Sequence, residues 1–133
     1  MRPFPLRLHP GQDLRAALEA VLTQHGTGAG FVLQGIGSLA GAQLRLAGAQ
    51  LPLELRGDLE IPTLAGSLAP DGAHLHMALA DTQGRVLGGH VAPGCIVRTT
   101  AEILIAFLPD HDFTREPDLG GSGFRELVVR PRA

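Results

Sequence analysis

With 133 residues, a formal net charge of −2, and eleven basic residues, all arginine, against thirteen acidic ones, the chain offers no basic field for nucleic acid or anionic lipid. Its one cysteine, Cys95, cannot form an internal bridge, and no apolar run approaches the roughly 20 residues needed to cross a bilayer, since Glu102 and Pro109 bound the longest. The start, MRPFPLRLHPGQDL, lacks an apolar signal core, so the expectation is one soluble, cytoplasmic domain over residues 1–133, large enough to bury a core without disulfide or structural metal.

Residues 4–9 alternate, Phe4, Leu6 and Leu8 against Pro5, Arg7 and His9, which predicts a short strand whose Pro5 suits an edge. Pro10-Gly11 ends it. The period then changes. Leu14, Ala17, Leu18, Val21 and Leu22 fall at helical spacing, Asp13 is placed to cap the start, and Gly26 follows the last turn. This predicts an amphipathic helix over residues 13–24 lying on a sheet, with His25 a dipole-complementing cap rather than a ligand. Residues 30–34 predict a strand that runs into Gly35-Ile36-Gly37, a tight turn or bulge where only glycine fits. It lacks the third Gly, the Lys and the following helix of a phosphate loop. Residues 42–47, 53–56 and 59–68 read as further strands, the last one bent or at an edge at Pro62.

The chemistry concentrates in residues 73–102, AHLHMALADTQGRVLGGHVAPGCIVRTTAE. His74 and His76 lie two apart, so on a strand they share a face, while Leu75, Met77 and Leu79 take the other and look into a core. Asp81-Thr82-Gln83-Gly84 has the residues of a type I turn with a left-handed last position, which fixes a hairpin register. Asp81 then pairs with Arg85, Ala78 with Gly88, and His76 with His90. Neighbours on such a face are roughly 5–7 Å apart, so His74, His76 and His90 can converge on one ion, with open space beside Ala78 and Gly88. A lone strand histidine is more often plain polar surface. The shared face and the matched third position are what raise these above that reading.

Pro93-Gly94 turns the chain into a strand over residues 96–108, with Arg98, Thr100 and Glu102 on one face. Residues 103–108 are apolar on both faces, as in a strand covered on both sides. Glu102 is a candidate fourth ligand or supporting partner of the histidines, against the competing role of an ion pair with Arg98. Asp110-His111-Asp112 follows Pro109 and reads as a solvated loop. Gly120-Gly121-Ser122-Gly123 makes a turn, and residues 126–130 a last strand.

Three runs in order, GDLEIPTLAGSL (57–68), HLHMALADTQGRVLGGHV (74–91) and VRTTAE (97–102), with the PGxDL helix start at Pro10, resemble the plant and prokaryote conserved domain, which in plants is joined to AT-hook motifs. The resemblance implies an α/β (α+β) fold, a mostly antiparallel sheet packed by an N-terminal helix, and a homotrimer. It also implies, in the bacterial branch, a three-histidine metal site that falls on His74, His76 and His90. DNA association is part of what it implies, yet neither Arg2-Pro3 nor Arg130-Pro131-Arg132 supplies the Gly-Arg-Pro core of an AT-hook.

Two function classes follow. One is a trimeric metal-binding module acting as a DNA-associated regulator, sensor or scaffold. The other is a zinc-dependent metalloenzyme, since three neutral imidazoles leave tetrahedral zinc one open position for a water whose pKa falls to about 7. The only route to a basic patch is trimerisation that gathers copies of Arg125, Arg130 and Arg132. The expected affinity for duplex DNA is therefore no tighter than about 10⁻⁵ M near physiological salt.

Overall fold

The computed structural model describes residues 1–133. Eight strands and one helix follow in the order β1 (Arg2–Leu8), α1 (Leu14–Gln24), β2 (Gly30–Arg45), β3 (Leu53–Ala69), β4 (Gly72–Ala80), β5 (Val86–Val91), β6 (Val97–Phe107), β7 (His111–Pro117) and β8 (Arg125–Pro131). Strands β1 to β6 form one sheet in the order β1-β6-β2-β3-β4-β5, while β7 and β8 form a separate ribbon, and all the ladders are antiparallel. The end of β2 reaches past β6 to pair with β5 as well, Leu44 opposite Val91 and Arg45 opposite His90. That extra pairing closes β2, β3, β4 and β5 into a ring. The fold is the mostly antiparallel α+β arrangement expected.

The helix forms where the periodicity places it. Asp13 accepts the Ala16 N–H at 3.0 Å and, through its other oxygen, the Gly94 N–H at 2.7 Å, which ties the helix start to the turn before β6. After the last turn Gly26 takes φ 63°. Leu14, Leu18, Val21 and Leu22 are buried and pack onto β3, β4 and β6. They meet a core that includes Leu64, Leu68, Leu75, Ile105 and Phe107. Each fully buried leucine contributes about 2–3 kcal/mol by removal of apolar area from water. His25 is structural, with Nδ1 2.9 Å from the Val21 carbonyl and its ring against Phe4 and Phe107.

Four expectations need correction. First, of the tight turn or bulge expected at Gly35-Ile36-Gly37, the chain has the bulge and not the turn. Strand β2 runs through, and the irregularity is absorbed as register shifts against β6 between Val32 and Gln34 and between Gly37 and Leu39. Gly37 is needed for closeness: a Cβ there would lie 2.4 Å from the Thr100 carbonyl oxygen. Second, residues 53–56 and 59–68 are one strand, β3, whose ladder with β4 skips from Glu60 to Thr63. Pro62 sits in that gap and has no N–H to lose. Third, His111 and Asp112 begin β7 instead of a loop, and Asp112 pairs with Arg132 across to the end of the chain. Fourth, β6 is not covered on both sides throughout. Ile103, Ile105 and Phe107 are buried, but Leu104 is 41% exposed, as is Ile36 at 51% on the neighbouring strand.

Candidate metal centre

The hairpin β4–β5 has the register that its turn residues dictate. The Asp81 N–H donates to the Arg85 carbonyl and the Gly84 N–H to the Asp81 carbonyl, both at 2.9 Å, and Gly84 is left-handed at φ 79°. The Asp81 carboxylate accepts the N–H groups of Arg85 and Gln83, a turn-internal network that holds its pKa below the usual carboxylate value. Ala78 therefore faces Gly88 and His76 faces His90. Leu75, Met77 and Leu79 are buried, and the histidines occupy the opposite, outer face.

On that face the three rings meet. His76 Nε2 lies 3.1 Å from His74 Nε2 and 3.0 Å from His90 Nδ1, and the three donor atoms all lie within 4.8 Å of one another. The His76 ring stands at 85° to both of the others, which are nearly parallel at 15°. Tetrahedral zinc with bonds of about 2.05 Å separates its nitrogen ligands by about 3.3 Å, so two of the three spacings fit such an ion to within a few tenths of an ångström.

Electrostatics favours the ligating form of two of the rings. Burial lowers the pKa of His74, helped by His76, Arg115 and Arg15 and opposed by Glu126. Burial likewise lowers that of His90, followed by Arg45, His76, His74 and Arg15. A lowered imidazole pKa leaves a free lone pair at neutral pH, which is what a metal requires.

Arg15, from the first turn of α1, braces the site from behind. Its guanidinium donates to the Val91 carbonyl at 2.6 Å and the Ala73 carbonyl at 3.0 Å, while Nε binds Glu19 at 2.9 Å. Those carbonyls belong to the neighbours of His90 and His74. The β4–β5 ladder stops at His76 and His90, where β5 departs toward β2, so Arg15 links the strands just beyond it.

Glu102 is elsewhere. It lines a cavity of about 380 Å³ with Glu60, Thr99 and Thr100 and accepts a hydrogen bond from Thr100 Oγ1 at 3.2 Å. The pair expected between Arg98 and Glu102 is not made, because Arg98 reaches Asp58 at 3.2 Å instead. The residues that the sequence reading missed are Arg15, Arg45 and Arg115. Nothing local marks them. Each arrives through a contact between distant segments, and only a known β2–β5 pairing would have placed Arg45 opposite His90.

The model of the Plants and Prokaryotes Conserved (PCC) domain matches residues 1–109. The chain belongs to this family. Among relatives of this PCC-domain chain, the bifunctional protein GlmU of Synechococcus sp. (strain JA-2-3B'a(2-13)) is 48% identical over 133 residues, covering 100% of this chain and 21% of that protein. The chain thus spans about a fifth of the length of the curated relatives it matches. Of solved structures, a hypothetical protein from Salmonella cholerae-suis superposes with a TM-score of 0.94 at 41% identity, covering 99% of this chain and 95% of that one. A metal-containing protein from Archaeoglobus fulgidus superposes with a TM-score of 0.81 at 26% identity, covering 96% and 94%.

Proposed function

We propose that this PCC-domain chain is a homotrimeric metal-binding module in which His74 Nε2, His76 Nε2 and His90 Nδ1 hold one divalent ion, zinc being favoured by three neutral imidazoles. The observation that carries this reading is the convergence of three ring nitrogens from the two strands of one hairpin. The likeness to a protein described as metal-containing supports it. Bound there, the ion supplies a Lewis-acid centre with room for a further ligand. The chain's own residues orient the rings: the turn sets the register and Arg15 ties the strands.

The placement of Glu102 in a separate cavity removes the candidate fourth ligand or supporting partner from the histidines, which favours a binding or regulatory module over a zinc-dependent metalloenzyme. Ile36 and Leu104, exposed on one side of the sheet, are apolar surface that a homotrimer would cover. Duplex DNA is not the ligand proposed. Seven of the eleven arginines are ion-paired, including Arg125 with Asp71, Arg130 with Glu116 and Arg132 with Asp112, so the tail offers little free positive charge to phosphates.

The test is elemental analysis beside light scattering. Wild-type protein is expected to carry about one divalent ion per chain as a trimer and to release it in acid, where protons compete with the ion for the ring nitrogens. His76→Ala should lose the ion while keeping its circular dichroism. Full metal content in a folded His76→Ala protein would refute the site, and a monomer at micromolar concentration would refute the assembly.

A further inference from the structure

We propose that the outer edge of β8 is a docking surface for β8 of a second copy of this chain, the two strands pairing antiparallel about a two-fold axis at Val128. The ribbon lies beyond residue 109, where the family match ends, and the pairing stands apart from the metal site. Strand β8 pairs with β7 and with no other strand, so one of its edges is open. The ladder fixes which groups line that edge. The Asp118 N–H donates to the Phe124 carbonyl at 2.8 Å and the Arg132 N–H to the Asp110 carbonyl at 2.7 Å, so in this register the even-numbered residues exchange bonds across the ribbon. The odd-numbered residues turn outward. On β7 the Phe113 N–H reaches the Gly28 carbonyl at 3.0 Å and the Arg115 N–H the Asp71 carboxylate at 3.1 Å. On β8 the central outward residues are Leu127 and Val129, whose N–H and C=O groups have no strand to meet.

An open edge is a template for another strand unless something blunts it. The edge strand of the main sheet is blunted, since β1 carries Pro3 and Pro5, which have no N–H to offer. Strand β8 is not. Its only proline is the last residue, Pro131, and no register shift interrupts its ladder with β7. Its centre is apolar, with Val129 53% exposed.

The occupant follows from the segment Glu126-Leu127-Val128-Val129-Arg130, which is complementary to itself when reversed. With the axis at Val128, Glu126 meets Arg130 of the second copy, Leu127 meets Val129, and Val128 meets its own counterpart. Leu127 and Val129 are then opposed as a pair that exchanges N–H and C=O in both directions, using the groups the chain leaves free. Moving the axis by one residue sets Val128 against Glu126 or Arg130 and destroys the match. The charges inside the ribbon leave Glu126 available. Glu116 stands directly opposite it and is held by Arg130 at 2.6 Å, whereas the Glu126 carboxylate takes only the Ser122 hydroxyl, at 2.9 Å. Arg130 grips Glu116 through Nη1 and Nη2, which leaves Nε for a carboxylate of the second copy.

The experiment is sedimentation velocity on the full chain from the micromolar into the millimolar range, because two short edges make a contact of the small, transient class. Wild-type protein should pass to twice its starting mass as concentration rises. The threefold assembly proposed above sets the starting mass and the β8 pairing sets the doubling, so each can fail without the other. Val129→Pro removes an outward N–H at no internal cost and should melt near wild type while weakening the doubling about tenfold or more. Glu126→Arg sets the introduced arginine against Arg130 of the second copy, and Arg130→Glu sets the introduced glutamate against Glu126. Each alone should stay at the starting mass, and an equal mixture of the two, in which every opposed pair is again complementary, should double. A wild-type mass independent of concentration, doubling that persists in both charge variants, or a mixture that stays at the starting mass would overturn the pairing. So would a Val129→Pro protein that falls below the starting mass, since β8 would then belong to the threefold contact.

Discussion

The β4–β5 hairpin and the long β2–β3 pair belong to the same sheet, yet they are encoded differently. In the hairpin a four-residue turn sets every cross-strand partner, so Ala78 faces Gly88 and His76 faces His90 for reasons contained in about twenty consecutive residues. In β2–β3 the strands are 16 and 17 residues long, and their glycines answer to the strands beside them, Gly37 to the sequence-distant β6 and Gly66 to β4. Gly37 makes room for Thr100 and Ala101, and Gly66 makes room for His74 and Leu75. A glycine in a turn and a glycine under a passing strand look alike in sequence. Only the first has a local signature.

That contrast is most sharply tested at the glycines. Gly66→Ala would bring a Cβ to 2.0 Å from the His74 carbonyl oxygen, and Gly37→Ala to 2.4 Å from that of Thr100. Backbone cannot yield as a side-chain tip does, so each should cost about 3 kcal/mol or more of a total near 10 kcal/mol. Gly88→Ala, in the hairpin, meets only an ordinary contact and should change stability by less than about 0.5 kcal/mol. Urea denaturation of the three variants decides the matter, and equal midpoints would erase the distinction.

A smaller effect probes the join between the two regions. Arg15→Gln removes the charged donors that hold Val91 and Ala73 and should cost about 2 kcal/mol, with weaker retention of bound metal. If that variant keeps both wild-type stability and metal, the brace is incidental to the site.

The smallest effects lie in pH dependence. In metal-free protein the lowered values of His74 and His90 mean that the folded state binds fewer protons than the unfolded one. Their contribution is present above the unfolded value of 6.5 and is lost as pH falls below it. Glu116 acts in a lower window. The Arg130 fork, with Thr114, holds its carboxyl at about 2, so its contribution is present above 4.5 and lost as pH falls through about 2. Melting temperatures of Glu116→Gln should vary less than wild type between these limits, and a parallel curve would show that the exposed pair is without consequence.

Legibility follows the same divide. Helix α1, its Asp13 cap, the inward Leu75, Met77 and Leu79, and the His76–His90 pairing were all readable, because each depends on neighbours within a turn or a hairpin. The continuity of β2 was not, since its bulges are set by β6 some 65 residues later. Arg98 was assigned to Glu102 on its own strand, whereas strand-to-strand proximity gives it Asp58. The guanidiniums around the histidines were equally hidden, because α1, β2 and β7 each contribute one.

The closure of β2, β3, β4 and β5 into a ring has a kinetic consequence. A hairpin with a free edge opens by fraying inward from its end, but β5 is held by β4 along its length and by β2 at Val91 and His90. Amides near the turn, where Val86 and Leu87 are exposed, can exchange with solvent through small openings, whereas those at His90 and Val91 need the ring itself to part. The residence time of anything His90 holds is then set by the breaking of side-chain bonds, not by breathing of the strand beneath it.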